Sequence, residues 1–300
     1  RRAIVLEETP PADPAENAPL AALLRGESRP SGTSRTAWLG SAVAIKEPTH
    51  ADFGRHAGSN LLVVGAQEQA ALGVLASAAI SLAAADRPQV SDDSSGSRFL
   101  IFDGARAGDQ GLGVWQRIAN SLPNEVQVLT PRETASGMAL AAAELARREE
   151  AQLDQAPPWY LIIYNGGRLR ELKRSEDDFS FSVDRDKAPN PDKQLAEILR
   201  NGPSWGIHAL VWCDSYNSLT RMFDRSTLRE FEMRVALQMS AADSSNLLDS
   251  PAASNLKLHG AILVAEDTGI NEKFRPYSPP SAEWLQQVAN SFKSQDVIRV

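Results

Sequence analysis

Short apolar segments alternate with longer segments of helical periodicity along most of this 300-residue chain. The apolar segments are bounded by turn-forming residues, a pattern typical of buried strands. They lie at residues 60–64, 99–102, 126–129, 159–164, 207–213, 235–239 and 261–264. The segments with helical periodicity lie at residues 69–85, 112–121, 135–150, 193–201, 218–223 and 280–292. This alternation predicts an α/β fold with a mostly parallel central sheet and helices on both faces.

The first 36 residues have a different pattern. A short apolar run at residues 3–6 is followed by a proline-rich segment and then by a helical pattern at residues 18–24. Residues 25–36 are rich in Arg, Gly, Ser and Thr, as linkers often are. We therefore expect an N-terminal strand, helix and linker over residues 1–36 and one large domain over residues 37–300. Because the chain begins without Met and without a signal-peptide apolar region, we also expect it to be a segment of a longer protein.

Two long polar loops are predicted between the regular elements. They cover residues 86–97 and 173–192, and the second is rich in acidic residues. A solvated loop is the favoured interpretation of this acidic segment, with a metal site as the alternative.

Composition narrows the class of protein. Apolar residues make up 42% of the chain and charged residues 23%, which is typical of a folded globular protein and excludes wholesale disorder. The net charge of −7 disfavours a surface that binds phosphate backbone everywhere, although a local basic patch stays possible. The single cysteine, Cys213, cannot form an internal disulfide, so we expect a reducing, cytoplasmic compartment. The Ala-rich run at residues 70–85 is interpreted as too short and too weakly apolar to span a membrane, and no membrane contact is expected.

A candidate phosphate site follows the strand at residues 60–64. A strand, a glycine turn and a helix form the place in α/β sheets where phosphates bind. The residues there are Gly65, Ala66, Gln67, Glu68, Gln69, Ala70, Ala71 and Leu72. Aligned on Gly65, the phosphate-binding pattern GxxxxGK[ST] requires glycine, lysine and a hydroxyl residue where this chain has Ala70, Ala71 and Leu72.

These differences remove the chemistry that the pattern supplies. Ala71 offers no ammonium group to the phosphates and Leu72 offers no hydroxyl to Mg²⁺. Glu68 adds a carboxylate at the helix N-terminus, where a phosphate would otherwise be stabilised. From the local residues alone, an ordinary turn that never bound nucleotide is an equally acceptable interpretation.

The second half of a nucleotide-hydrolysing site is an acidic residue at the end of a neighbouring apolar strand. The strand at residues 159–164 ends in Asn165, followed by two glycines. Asn165 has the shape of aspartate but no charge, so it cannot act as a base or bind a metal ion as a carboxylate does.

Four segments in the second half of the chain follow a recognisable order. Residues 205–213 contain a Gly-Ile-His strand, residues 231–249 an Arg-containing strand and an Asp243-Ser244 turn, residues 252–256 a small-residue helix, and Gly260 opens a last strand. This order resembles the C-terminal half of the FtsK/SpoIIIE motor domain. Residues 38–40, 44–49 and 53–60 are similar to the approach to the first strand in FtsK/HerA-like ATPase domains. The resemblance covers roughly residues 36–278 and implies a RecA-like P-loop NTPase fold.

Domains of this family drive DNA through hexameric rings or work as tandem ATPase domains in EccC-like secretion proteins. The resemblance therefore implies ATP and Mg²⁺ as ligands, other ATPase domains as partners, and contact with DNA through the parent assembly. The chain departs from the family at Ala71, Leu72 and Asn165, and at Asp214, where a glutamine sensor is usual. We therefore expect no cofactor, unless the altered site still binds ATP and Mg²⁺, and no catalytic residue. The favoured function is a pseudo-ATPase domain with a structural or regulatory role; the alternatives are an active DNA translocase and a partner-recognition module.

Some further residues have two interpretations. The most basic stretch comprises Arg168, Arg170, Lys173 and Arg174. The favoured interpretation is a solvated surface, and the alternative is a contact with DNA or a partner. His208 and Cys213 lie in an apolar strand, so we expect a structural histidine and an unreactive thiol. Arg234 is expected to anchor the turn that contains Asp243 and Ser244.

Overall fold

Ten strands and nine α-helices occur in the residues that the computed structural model describes, which are 10–28, 30, 32–88, 96–175 and 190–298. The strands are β1 (Arg35–Ala42), β2 (Thr49–Phe53), β3 (Leu61–Val64), β4 (Arg98–Asp103), β5 (Glu125–Leu129), β6 (Trp159–Tyr164), β7 (Ile207–Cys213), β8 (Met233–Ala236), β9 (Ala261–Ala265) and β10 (Ile270–Pro276). The helices are α1 (Ala18–Leu24), α2 (Glu68–Ala85), α3 (Val114–Ala119), α4 (Thr134–Ala151), α5 (Pro191–Asn201), α6 (Tyr216–Met222), α7 (Arg225–Leu228), α8 (Ala241–Leu248) and α9 (Ala282–Ile298).

All ten strands form one mixed sheet in the order β2-β1-β10-β9-β8-β3-β7-β6-β4-β5. The six strands from β8 to β5 in this order pair in parallel, through five parallel pairings. The other four pairings are antiparallel and add β9, β10, β1 and β2 to one side. The prediction of an α/β fold with a mostly parallel sheet is therefore confirmed, with an antiparallel extension that the sequence did not indicate.

The seven strands and six helices predicted beyond residue 36 are all present, as is the helix predicted at residues 18–24, and most bounds agree within a few residues, although α9 continues six residues past its predicted end. Three strands were missed, namely β1, β2 and β10. Strand β1 begins at Arg35, inside the segment interpreted as a linker, and the boundary at residue 36 stays a prediction. The predicted turn at Asp243 and Ser244 is wrong, because both residues lie in helix α8. The predicted N-terminal strand at residues 3–6 and most of the two long polar loops lie outside the described residues.

Helices cover both faces of the sheet. Helices α1, α2, α3 and α9 pack on one face, and α4, α5, α6 and α8 contribute to the core of the other. The N-terminal segment belongs to the first layer, because Ala12 pairs with Tyr277 and Leu20 and Leu24 are buried there. This arrangement confirms the prediction of two helical layers.

Helix α2 is the central helix of the first layer. It is apolar on all sides, and the residues from Ala70 to Ala84 are buried, as expected for a helix inside a core. By length and composition alone α2 could cross a membrane, so the sequence argument that this run is too short was wrong; 83% of it is buried within the protein. Gly73 allows a close approach, since a Cβ there would lie 1.7 Å from the Tyr277 carbonyl oxygen.

Candidate functional site

The predicted site residues meet at the carboxyl ends of the parallel strands. Gly65 follows β3, Asn165 follows β6, and Asp214 follows β7, which lies between these two strands. The register places Val64 beside Cys213. Ligands of α/β sheets commonly bind at this edge, and the role of these residues as a ligand site stays a prediction.

The turn between β3 and α2 has only three residues, Gly65, Ala66 and Gln67. Gly65 has φ +141°, and a Cβ there would lie 2.5 Å from the Cβ of Leu237. Its amide donates to the Cys213 carbonyl at 3.1 Å, and its carbonyl accepts from the Trp212 indole at 2.9 Å. The turn is therefore tight and is fixed by both neighbouring strands.

The first turn of helix α2 occupies the positions at which a phosphate-binding pattern would form its loop. In that pattern the GxxxxGK[ST] residues connect the strand to the helix, whereas here the helix begins at Glu68. The exposed fractions of Ala70, Ala71 and Leu72 are 7%, 0% and 0%. These three side chains face the core, while Ala66 and Gln69 are exposed at the edge. Of the eight aligned positions, only the first five remain at the candidate site.

Glu68 is held in place by two hydrogen bonds. Its Oε1 accepts from the Tyr164 hydroxyl and from the Gly111 amide, both at 2.9 Å. Burial and the Glu68 carboxylate raise the pKa of Tyr164. Glu68 therefore links the start of α2 to the end of β6 and to the segment before α3, rather than extending into the turn.

Aromatic rings fill the space beneath the turn. The ring centroid of Tyr164 lies 4.8 Å from that of Trp212 and 5.6 Å from that of Trp115. Gly111 allows this packing, because a Cβ there would lie 2.3 Å from the Tyr164 hydroxyl. The sequence reasoning missed Tyr164, Trp212 and Leu237, although two of them stand at strand ends, where a bulky side chain can close an edge.

Asn165 is almost completely buried, with 2% of its surface exposed. It adopts φ +54°, a left-handed conformation that asparagine tolerates better than most residues. Its Oδ1 has no hydrogen-bond partner among the described residues. A neighbouring acid that the sequence reasoning missed, Asp103, ends β4; burial raises its pKa, and its Oδ1 accepts from the Ala105 amide at 2.9 Å.

Asp214 has a local structural role. Its Oδ1 accepts from the Ser218 hydroxyl at 2.6 Å and from the Ser215 hydroxyl at 3.3 Å. Ser215 is the N-cap of helix α6 and accepts from the Ser218 amide. These contacts stabilise the start of α6 at the position where the family resemblance implied a sensor.

No protein-family model and no curated protein matches the sequence, whereas solved structures match the fold. The cytoplasmic domain of the type VII secretion ATPase EccC from Thermomonospora curvata aligns with 93% of this chain and 34% of its own, at 17% identity and TM-score 0.62. The conjugation coupling protein TcpA of pCW3, solved with ATPγS, aligns with 87% of this chain and 70% of its own, at 10% identity and TM-score 0.60. The fold is that of FtsK/SpoIIIE-type ATPase domains.

A third solved structure contains ATPases 2 and 3 of Thermomonospora curvata EccC in complex with a signal sequence peptide. It aligns with 88% of this chain and 47% of its own, at 15% identity and TM-score 0.59. The chain thus spans about a third of the EccC cytoplasmic domain and about half of the two-ATPase fragment. The predicted resemblance to FtsK/SpoIIIE-type ATPase domains is confirmed at the level of the fold.

The basic stretch is divided in this ATPase fold. Arg168 pairs with Asp109 at the carboxyl edge of the sheet. The pKa of Asp109 is lowered mainly by the hydrogen bond from the Arg106 amide, and the pairing with Arg168 lowers it further. Lys173 and Arg174 instead line a separate groove of about 760 Å³. Arg170 is exposed.

The groove carries charges of both signs. Arg221 and Lys193 line it with the two basic residues, and so do the acidic residues Asp192 and Asp224. The Thr227 amide is the main cause that lowers the pKa of Asp224 to about 2. A mixed surface of this kind gives no preference for a phosphate backbone over a peptide, and the role of the basic stretch stays a prediction.

The remaining singled-out residues are structural. The Nδ1 of His208 lies 2.8 Å from the Ser59 carbonyl oxygen, and burial lowers the pKa of His208 to about 4. Cys213 is fully buried, which raises the pKa of its thiol. Arg234 donates to three backbone carbonyls, including that of Leu247 at 3.2 Å, so it anchors the end of helix α8 rather than a turn.

Proposed function

We propose that this chain is a non-hydrolysing ATPase-fold domain with a structural or regulatory role beside active ATPase domains of the same protein or its oligomer. The observation that carries the proposal is the direct passage from β3 into α2 through three turn residues. The positions aligned with the phosphate-binding lysine and hydroxyl are helical and buried. There is no room at these positions for a cradle of backbone amides around a triphosphate. There is also no room for the cationic side chain that would stabilise the triphosphate.

The residue that stands in place of the acid of a nucleotide-hydrolysing site supports the same proposal. Hydrolysis needs a group that positions the attacking water and a carboxylate that holds Mg²⁺. Asn165 ends the strand where that acid is expected and is buried. Asp103 lies one strand farther from the turn than Asn165 does, because the strand order is β3-β7-β6-β4.

The part of the proposal that concerns partners rests on chain length. The EccC structure in complex with a signal sequence peptide contains ATPases 2 and 3, and this chain spans about half of it. A domain of this fold that does not hydrolyse ATP still offers its surface to a neighbouring domain. Peptide recognition stays a prediction from the sequence, and so does contact with DNA.

Titration calorimetry with ATP and Mg²⁺ tests the proposal. We expect no saturable binding up to about 1 mM, the upper end of the concentrations at which enzymes commonly half-saturate, and no phosphate release with or without duplex DNA. Ala66→Asp is the matched control, since Ala66 is exposed in the turn and a carboxylate there would repel phosphate. Micromolar Mg²⁺-dependent binding that Ala66→Asp abolishes, together with turnover, would overturn the proposal. Turnover stimulated by duplex DNA would support the active translocase instead.

A further inference from the structure

A cluster of three potential metal ligands lies at the opposite edge of the sheet from the turn at Gly65. His56 lies between β2 and β3, Glu232 immediately precedes β8, and Asp267 lies in the connection between β9 and β10. One ligand atom of each residue lies within 4.8 Å of the other two. His56 and Asp267 are exposed and Glu232 is half-buried, so the cluster is open to solvent on one side.

Backbone hydrogen bonds join the three segments that carry these residues. The Glu232 amide donates to the Gly58 carbonyl at 2.9 Å, and the Glu266 amide donates to the Glu232 carbonyl at 3.3 Å. Gly58 adopts φ +83°, which turns the chain so that His56 comes back towards β8. The three ligands therefore sit on a common framework instead of on independent loops.

The imidazole ring of His56 is oriented by its surroundings. Its Nδ1 lies against Gly54, where a Cβ would be only 2.8 Å away. Its Nε2 lies 2.9 Å from an Oε2 of Glu232. One ring nitrogen is therefore directed at the Glu232 carboxylate, and close packing against Gly54 limits how far the ring can turn.

Two carboxylates at this distance repel each other. The carboxylate oxygens of Glu232 and Asp267 lie within 4.8 Å of each other. A divalent cation between the carboxylates would remove the repulsion, and the imidazole nitrogen would complete a face of three ligands.

We propose that His56, Glu232 and Asp267 bind a divalent transition metal of the zinc class, with the remaining coordination position open to water. One imidazole and two carboxylates suit zinc, cobalt or nickel better than magnesium or calcium, which prefer oxygen ligands only. Ligands about 2.0–2.2 Å from a tetrahedral ion lie about 3.5 Å apart. The observed spacings, 2.9 Å for the His56–Glu232 pair and at most 4.8 Å within the cluster, bracket that value, and the two exposed side chains can rotate to meet it.

Calorimetric titration of the chelator-treated chain with ZnCl₂ tests the site. We expect one saturable binding event for zinc. Asp267→Asn and His56→Gln should bind zinc at least about ten-fold more weakly, because removal of even a group that hydrogen-bonds to a metal ligand commonly weakens metal binding by that factor. CoCl₂ gives an independent readout, because Co²⁺ in a four-coordinate site produces visible absorption that the two variants would lose. Excess MgCl₂ should not displace either ion.

His50→Gln is the matched control. The Nε2 of His50 lies 3.6 Å from an Oδ2 of Asp52, and no third ligand completes that pair among the described residues. We expect this variant to bind zinc as the unmodified chain does. Equal weakening in His50→Gln and His56→Gln would show adventitious binding to surface histidines and overturn the proposal, as would undiminished binding in Asp267→Asn. Either result leaves the proposed function untouched, because the turn at Gly65 lies at the other edge of the sheet.

Discussion

The substitution Leu72→Ser introduces the hydroxyl that the phosphate-binding pattern requires at this position. Because the Leu72 side chain is fully buried in the layer between α2 and the sheet, we expect loss of stability instead of gain of binding. Removal of a buried leucine side chain costs about 2–5 kcal/mol, and a buried hydroxyl without a partner adds about 1 kcal/mol. The Glu68 carbonyl, four residues earlier in the helix, can accept from the serine and reduce that last cost.

Urea denaturation followed by circular dichroism measures the effect. With a loss of about 4 kcal/mol and a slope of about 3 kcal/mol/M, the midpoint falls by about 1.3 M. Gln69→Ser is the matched control in the same helical turn, since Gln69 is exposed and the change should stay within about 0.5 kcal/mol. The double variant Ala71→Lys, Leu72→Ser should be less stable still, because it places a charge in the core.

One result would refute this reasoning. If the double variant unfolded at the same urea concentration as the unmodified chain and bound ATP with Mg²⁺, both new side chains would have to face the turn. The helical register of residues 68–72 would then be wrong. The lack of ATP binding expected for the unmodified chain would follow from the side chains at positions 71 and 72 alone, and not from the backbone.

Two further predictions concern the aromatic and histidine contacts. Gly111→Ala should lower the free energy of unfolding by about 1–3 kcal/mol. The new Cβ would lie 2.3 Å from the Tyr164 hydroxyl and would force that hydroxyl away from Glu68. An unchanged melting temperature together with an unchanged near-ultraviolet circular dichroism spectrum would contradict this prediction. His208 should make stability pH-dependent, since burial lowers its pKa from 6.5 to about 4 in the folded chain. The unfolded chain then binds the extra proton between these values, so this contribution is complete above pH 6.5 and is lost as the pH falls towards 4. His208→Gln should flatten that part of the curve of unfolding free energy against pH, and an unchanged slope would refute the assignment.

The predicted strands were those whose burial on both faces leaves a continuous apolar run. Strand β7 is buried at every position, and its sequence is apolar except for His208. In strand β10, exposed positions alternate with partly or fully buried ones, and the strand ends in proline. Because charged residues occupy positions of both kinds, the sequence shows no clear alternation of apolar and polar residues. Strands β1 and β2 pair only with antiparallel neighbours at the far side of the sheet, and polar residues such as Arg35 and Thr36 in β1 interrupt the apolar run by which the other strands were predicted.

The edge of the candidate site could be predicted, but its internal geometry could not. Helix α2 begins without a side-chain hydrogen bond from its N-cap residue, Gln67, so no capping signal marks its first turn in the sequence. The contact that fixes Glu68 joins it to Tyr164, 96 residues away. The proposed metal ligands His56, Glu232 and Asp267 are likewise far apart in sequence, and no local motif brings them together.

The contacts around the turn also set how far it can adapt to a ligand. A nucleotide that used the pattern would require residues 68–72 to unwind, which exposes Leu72 and breaks the bond between Glu68 and Tyr164. Exposure of one leucine side chain costs about 2 kcal/mol and the lost hydrogen bond about 1 kcal/mol. A rearrangement of about 3 kcal/mol weakens binding by about 100-fold before any missing lysine is considered. We therefore expect that the backbone, and not only the side chains at Ala71 and Leu72, opposes a triphosphate at this edge.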